Sequence, residues 1–341
     1  MTTLLIGTYP AAGAGTPAGL GEGIWRVDLD GTGAFGEPSQ VAATPAPSFL
    51  CTGPAEGVVY AANECTDGAV TAWRWAGDVL VPHGATSTGG ADPCHIRYVE
   101  ALRAIVATNY SSGSVAVIRV SPDGSLPDAA PAQVVALHGS GPDAARQEGP
   151  HAHQSVPSPD GRFLLVNDLG SDTVWRFSVG DGGLALDGAA AVLPAGTGPR
   201  HGAFSADGSL YLVAGELDDT VHVLGWDAHG GTLAPLGTLP ADPSGSAVVS
   251  HVEVVGDVLT VACRGTDAVT RFAVRGDGAL PLPAFPLPAG GFARHHLTQG
   301  ERIVVALQRG HEIVVLGPEG AVVSRARIPS PACVLEASST T

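Results

Sequence analysis

The sequence is poor in cysteine, in basic residues and in long apolar runs, and each shortage removes a class of protein. Cys51, Cys65, Cys94, Cys263 and Cys333 are odd in number, scattered, and form no C-x-x-C pair. That argues against a disulfide framework or a structural zinc site, and buried free thiols are the simpler reading. Seventeen Lys and Arg stand against 33 Asp and Glu, a formal net charge of −16, so nucleic acid and anionic membrane surfaces are repelled. No apolar run approaches the roughly 20 residues that span a bilayer. The opening MTTLLIGTYP has no basic segment and too short an apolar run for a secretion signal, so it reads as a strand of a cytoplasmic protein. Gly89-Gly90 and Gly196-Thr197-Gly198 lack the strand-to-helix setting of a phosphate loop and read as turns. There is no G-x-S-x-G elbow or activated cysteine context, which speaks against nucleophilic catalysis. No cofactor is expected.

Glycine and proline, by contrast, are abundant at 47 and 27 residues, as suits a turn-rich all-β chain. HAHQSVPSPDGRFLLVNDLGSDTVWRFSV (151–179) and PRHGAFSADGSLYLVAGELDDTVHVL (199–224) repeat one plan. A period of about 45–50 residues with short alternating strands is the signature of a β-propeller. Asp160-Gly161 and Asp207-Gly208 supply the positive φ that tight hairpins need. Aligning the ends of the second strands gives Tyr9, Glu64, Tyr110, Asp168, Glu216, Arg264 and Gln308, hence seven blades. The first inward residues align as Phe49, His95, His153, His201, His251 and His295. One blade is split: LLIGTY has no first strand before it, and PACVLEA is a strand left over at the far end. Pairing the two closes residues 1–341 into one ring without open edges.

First strands start, and second strands end, at the same mouth of such a ring. That mouth is therefore expected to collect Arg200, Arg264 and Arg294 with His95, His151, His153 and His201, against Glu64, Asp168 and Glu216, with Tyr110 beside them. Three Arg forks from so small a basic complement suggest a small anionic ligand, a phosphate or carboxylate. The plainer alternatives are strand-end salt bridges for the arginines and packing around a wet channel for the histidines. His153 with Asp168 and His201 with Glu216 are the expected pairs for proton transfer. His and carboxylates could also hold a metal, but no H-x-E-x-H spacing supports it, and none is expected. The loop GSGPDAARQEG (139–149) should lie over this mouth, with Arg146 or Gln147 reaching toward the substrate.

IGTY near the start, ANE at 62–64, GADPCH at 90–95, ATNYSSGSVAV at 107–117, GPHAH at 149–153, SPDGRFLLVNDLGSD at 158–172, GPRH at 198–201 and SPACV at 330–334 follow one another along the whole chain. In that order they resemble the lactonase family of seven-bladed propellers, which includes 6-phosphogluconolactonases and 3-carboxy-cis,cis-muconate cyclases. The resemblance implies a site of His153, Arg200, Glu216 and Arg264, with Gly215 and Cys263 departing from the Asn usual in the family. It implies hydrolysis of an anionic sugar lactone, with His153 or Glu216 activating water without a metal and the arginines holding the anion. A cyclase, isomerase or lyase acting on a carboxylated substrate, and a non-catalytic ligand-binding propeller, are the alternatives. The expected assembly is a monomer or weak dimer.

Overall fold

The computed structural model describes residues 1–9, 23–242, 244–245 and 248–337. The strands form seven four-stranded antiparallel sheets arranged as the blades of a ring. The inner strands are Pro47–Thr52, Pro93–Val99, Ala152–Pro157, Pro199–Phe204, Val248–Val255, Ala293–Gln299 and Pro331–Glu336. The last of these pairs with Thr2–Thr8 through Leu4↔Glu336, Leu5↔Leu335 and Ile6↔Val334, so the split blade closes as expected.

Alternation along the second strand of each blade drives this assembly. In Thr2–Thr8, Leu4 and Ile6 face one neighbouring blade, with Val304 and Ile313, while Leu5 faces the other, with Leu50 and Ala61. Because both faces of a blade are covered, second strands read as continuous apolar runs, such as the fully buried Val58–Asn63 and Leu210–Gly215. Seven such apolar clusters fill the seven gaps between blades. The hairpins below use the expected glycines: Gly161 (φ 70°) follows Asp160, whose carboxylate accepts from Ser158 Oγ at 2.6 Å, and Gly208 (φ 72°) follows Asp207, which accepts from Ser205 Oγ at 2.6 Å.

One irregularity repeats in every blade and decides what faces the channel. The pairing of inner with second strand shifts at the top, between Pro47/Phe49, Pro93/His95, Ala152/Gln154, Pro199/Gly202, Val249/Val252, Ala293/His295 and, in the split blade, Gly7/Thr8. A bulge re-aims the side chain it carries. The first residue of each bulge forms an upper tier around the channel: Ser48, Cys94, His153, Arg200, Ser250, Arg294 and Ala332. The next residues form a second tier: Phe49, His95, Gln154, His201, His251, His295 and Cys333.

Candidate active site

The upper mouth is framed by one hydrogen bond repeated from blade to blade. The backbone N–H of Tyr9, Glu64, Tyr110, Leu169, Glu216 and Gln308 donates to the carbonyl of Ser330, Ala46, Asp92, His151, Gly198 and Phe292 respectively, and Arg264 pairs with Val248 at the same level. This corrects the expectation for Asp168. Its blade is displaced by one residue from the repeat alignment, so Leu169 is the counterpart of Glu216, and Asp168 corresponds to Gly215. A slip of one residue turns a side chain to the opposite face. Asp168 instead accepts from the N–H of His151 (2.6 Å) and Gly170, from Ser171 Oγ (2.6 Å) and from Trp175 Nε1 (3.0 Å), and so braces the adjoining turn. By the same displacement His153 stands in the upper tier with Arg200 and Arg294, and Gln154 fills the place beside His95 and His201.

The geometry centres on Glu216. Its Oε2 lies 2.8 Å from Arg200 Nε and 2.6 Å from Arg264 Nη2, and its Oε1 accepts from Arg146 Nη2 at 2.6 Å. The Arg200 Nε contact has the distance of an ion pair, but its N–H is not aligned as a hydrogen bond to the carboxylate. Arg200 also donates to the carbonyl of Ser250, and Arg264 to those of Val248 and Val249 at 3.2 and 3.1 Å. These anchors fix two forks at the end of the channel. Arg146 arrives from the 139–149 loop, which lies on this face as expected, and its side chain is 40 % exposed against 4 % and 8 % for Arg200 and Arg264. Gln147 turns inward instead, donating to the carbonyl of Leu169 and to Asp172 Oδ1, so it does not reach toward a substrate.

A second group completes the wall. The Arg294 guanidinium lies 3.9 Å over the Tyr9 ring and donates to Gln308 Oε1 at 3.2 Å, while Tyr9 Oη donates to Glu64 Oε1 at 3.0 Å. Sequence reading missed Phe292, whose ring carries Arg264 on one contact (5.2 Å) and Arg309 on another (3.9 Å). Tyr110 and His151 stack with ring centres 4.4 Å apart, and Tyr110 meets His153 edge-on at 5.7 Å. Beneath them a cavity of about 10 Å³, room for a single water, is lined by Ser48, Glu64, Cys94, Arg200 and Arg294. Among the described residues Ser48 Oγ and Glu64 Oε2, which line it, and Gln308 Nε2, on the side chain that accepts from Arg294, are buried without a hydrogen-bond partner in the protein.

His201 and His95 do not meet a carboxylate. They belong, with Phe49, His251 and His295, to a layer of touching rings one tier down, where His201 Nδ1 is 2.8 Å from His251 Nδ1 and the His251 and His295 rings stack at 3.9 Å. The expected His201–Glu216 pair is therefore not formed: among the described residues the ion pairs of Glu216 are with Arg146, Arg200 and Arg264, and the nearby His153 feels its charge without a direct contact. Nor does His153 pair with Asp168, since Cys94 Sγ, at 3.8 Å, is the neighbour of its Nδ1.

Electrostatics sort these groups into roles. Burial would raise the Glu216 carboxyl, but the charges of Arg264 and Arg200, and then of Arg146, hold it well below the usual carboxylate range. Burial and the Arg200 charge push His153 well below the usual imidazole value, so it is neutral. For Tyr9 the pull of Arg294 is outweighed by burial and Glu64, which take its hydroxyl up to about 12. Arg146, Arg200, Arg264 and Arg294 against Glu64 and Glu216 leave two net positive charges at one mouth of a strongly acidic chain. Among the described residues no group of three or more His, Cys, Asp or Glu converges as a metal-binding set.

The closed seven-bladed ring has counterparts among known proteins. The family described as "Lactonase, 7-bladed beta-propeller" matches residues 3–335. The chain belongs to this lactonase family. It is 30 % identical to a 6-phosphogluconolactonase of Bacillus subtilis over 282 residues, 79 % of this chain and 76 % of that one. It is 28 % identical to a 6-phosphogluconolactonase of Cronobacter sakazakii over 87 % of each chain. Its fold superposes on the periplasmic gluconolactonase of Pseudomonas aeruginosa with a TM-score of 0.87, 27 % identity and 99 % of both chains covered. Lactonase activity, carried by a seven-bladed propeller, is what this kinship supports. No helix among the described residues is long and apolar enough to cross a membrane.

Proposed function

We propose that the upper mouth hydrolyses an anionic sugar lactone of the 6-phosphogluconolactone type, with His153 as general base. The observation that carries this division of roles is the grip of three guanidiniums on Glu216. A carboxylate so stabilised is a very weak base. It serves better as the counter-charge that holds Arg200 and Arg264 in place. Burial and Arg200 weaken His153 as a base as well, but it is neutral, is not committed to an ion pair, and so keeps an unprotonated nitrogen across the physiological range.

In this reading His153 takes a proton from a water molecule as its oxygen attacks the lactone carbonyl, and the carbonyl electrons move onto oxygen. Arg200 and Arg264 hold that oxyanion, a contribution typically worth about 10²–10³ in rate per donor. When the ring C–O bond breaks, His153 returns its proton to the departing alkoxide, leaving a hydroxy acid that ionises in water. Arg146 and Arg294 receive the substrate's phosphate or carboxylate, and Arg146, far more exposed than Arg200 and Arg264, engages it first. The residues present supply base, oxyanion stabilisation and anion binding without a metal.

The test is hydrolysis of 6-phosphogluconolactone against gluconolactone and muconate-type acids, with and without a chelator. Turnover of the phosphorylated lactone, lowered about 10²-fold in kcat by His153→Gln, is the expected result. Turnover of the muconate acids alone would favour cyclisation, and activity lost with EDTA and restored by a divalent ion would overturn the metal-free route. A cytoplasmic location is part of the same proposal and is checked by cell fractionation, since the Pseudomonas relative is described as periplasmic.

A further inference from the structure

Gln147 is the only buried residue in the 139–149 loop that delivers Arg146. A polar side chain with no exposure has to be satisfied within the protein, and this one is. Its Oε1 accepts the N–H of Asp143 at 3.2 Å, while its backbone N–H donates to the Asp143 carbonyl at 2.6 Å and its carbonyl accepts the N–H of Gly141 at 3.0 Å. Those bonds knot the loop on itself. Its Nε2 donates to the Leu169 carbonyl at 2.9 Å and to Asp172 Oδ1 at 2.7 Å, which plugs the knot into the ring. A Cβ at Gly141 would stand 2.4 Å from the Gln147 amide, so the knot also accounts for that glycine.

Asp172, itself buried, receives that plug. Its Oδ1 also accepts the N–H of Gly198 at 2.7 Å and its Oδ2 that of Gly196 at 2.8 Å, and the Gly198 carbonyl in turn accepts the N–H of Glu216 at 2.9 Å. One carboxylate oxygen therefore carries both the loop that brings Arg146 and the turn that fixes Glu216, the two partners of the 2.6 Å ion pair. Asp267 stands at the same place in the blade of Arg264, with a φ of 50° against 53° for Asp172. It accepts from the N–H of Gly290 (2.6 Å) and Phe292 (3.2 Å), the counterparts of Gly196 and Gly198, and among the described residues no loop side chain reaches it. The turn contacts are thus a habit of the fold. Gln147 is the addition peculiar to this blade.

We propose that Gln147 and Asp172 are positioning residues that set the preference for a phosphorylated lactone over a neutral one, by holding Arg146 at the mouth before substrate arrives. The proposal rests on the reading of Arg146 as a receiver of the substrate's anionic group. Beyond Glu216, the Arg146 side chain has only a 3.5 Å contact with Tyr110 Oη, and a long, half-exposed side chain gives up rotamer freedom when it captures an anion. Fixing the backbone beneath it lowers that cost.

Gln147→Glu tests this with the change of one group: oxygen replaces Nε2 opposite Asp172 Oδ1 and the Leu169 carbonyl, so acceptor faces acceptor and the plug is expelled. KM for 6-phosphogluconolactone should rise severalfold with little change in kcat, and KM for gluconolactone should move less. Because Gln147 acts through Arg146, Gln147→Glu should add nothing to Arg146→Ala, whereas a merely structural fault would add to it. Inorganic phosphate, titrated calorimetrically into wild type, both single variants and the double variant, reads the same coupling without turnover. A wild type that turns over no lactone, with phosphate affinity lost non-additively in the variants, would remove the lactonase reading and leave this one standing. Additive losses, equal rises in KM for the two lactones, wild-type values in Gln147→Glu, or a wild type that binds neither lactone nor phosphate would overturn the proposal. Should Gln147→Glu lack the wild-type circular dichroism spectrum, Gln147→Met, which removes the donor and adds no charge, is judged by the same outcomes.

Discussion

Replacing Glu216 with Gln keeps the shape of the side chain and removes the one charge that three arginines share. Arg200 and Arg264 are then left buried beside each other with no counter-ion, since both of their carboxylate contacts end on Glu216 Oε2. Breaking a buried ion pair costs about 3–5 kcal/mol. The Arg146 contact adds little, because that side chain is 40 % exposed and screened by solvent. With an unfolding entropy of about 2.1 cal/mol/K per residue, a chain of this length loses about 1.4 °C per kcal/mol, so Tm should fall by about 4–7 °C. The same vacancy is an anion site, so inorganic phosphate should raise the Tm of Glu216→Gln more than that of wild type. Differential scanning calorimetry with and without phosphate, beside lactone kinetics, gives the readout. The forks are mispositioned rather than lost, so kcat should fall by roughly 10²-fold while KM stays level or drops. An unchanged Tm, no added benefit from phosphate and full activity would together show that Glu216 neither holds the arginines nor serves the reaction.

Arg200→Met and Arg264→Met should each lower kcat by about 10²–10³-fold, the worth of an oxyanion donor, with a smaller change in substrate binding; wild-type kcat in both would move the oxyanion elsewhere. Arg146→Ala should raise KM severalfold with little change in kcat, and a collapse of kcat would make this loop residue part of the chemistry. Deleting residues 329–341 removes the strand whose Ala332, Cys333 and Val334 are almost wholly buried and should destabilise the whole ring, so an unchanged melting curve would contradict closure by this strand. His95, His153, His201, His251 and His295 are all pushed down by burial. A depressed imidazole stabilises the fold above its unfolded value near 6.5, and that contribution is lost as pH falls below it. Tm should therefore decline steeply from pH 6.5 to 5, and a flat profile across that range would refute the neutral, buried assignment.

The fold was legible because its signals are local and repeated. Asp-Gly hairpins, alternating third strands and the unmatched LLIGTY and PACVLEA segments each follow from period-two patterning and edge closure. The site was legible only in part. Aligning the blades on histidine set His153 opposite His201 and thereby gave Asp168 a place at the rim that Leu169 holds. The chemistry of a bulge is invisible to a count of alternating residues, because it adds one position without changing the composition. A cue was nevertheless present: Pro47, Pro93, Pro199 and Pro331 each stand immediately before the re-aimed residue, where a strand's first position tolerates a missing N–H. Anchored on those prolines, Arg200 aligns with Cys94 and Ser48, and His153, after Ala152, falls beside Arg200.

That register also separates two uses of histidine that looked alike. In the second tier, His95 Nδ1 accepts the N–H of Ser155 and His295 Nδ1 that of Val334, while Gln154 Oε1 does the same for Gly202. These three side chains tie one blade to the next by capping a backbone donor freed at a bulge. Gln can replace His in that task because only an acceptor is required. One tier higher the requirement changes. His153 Nδ1 meets Cys94 Sγ of the neighbouring blade rather than a backbone donor, and the anchored forks of Arg200 and Arg294 share its tier. Donors fixed in advance by Ser250, Val248, Val249 and Gln308 need not reorganise as negative charge develops on a substrate oxygen, and that is the condition under which electrostatic stabilisation is worth most. The strands beneath hold the ring together, and the bulges above them turn its first side chains into a site.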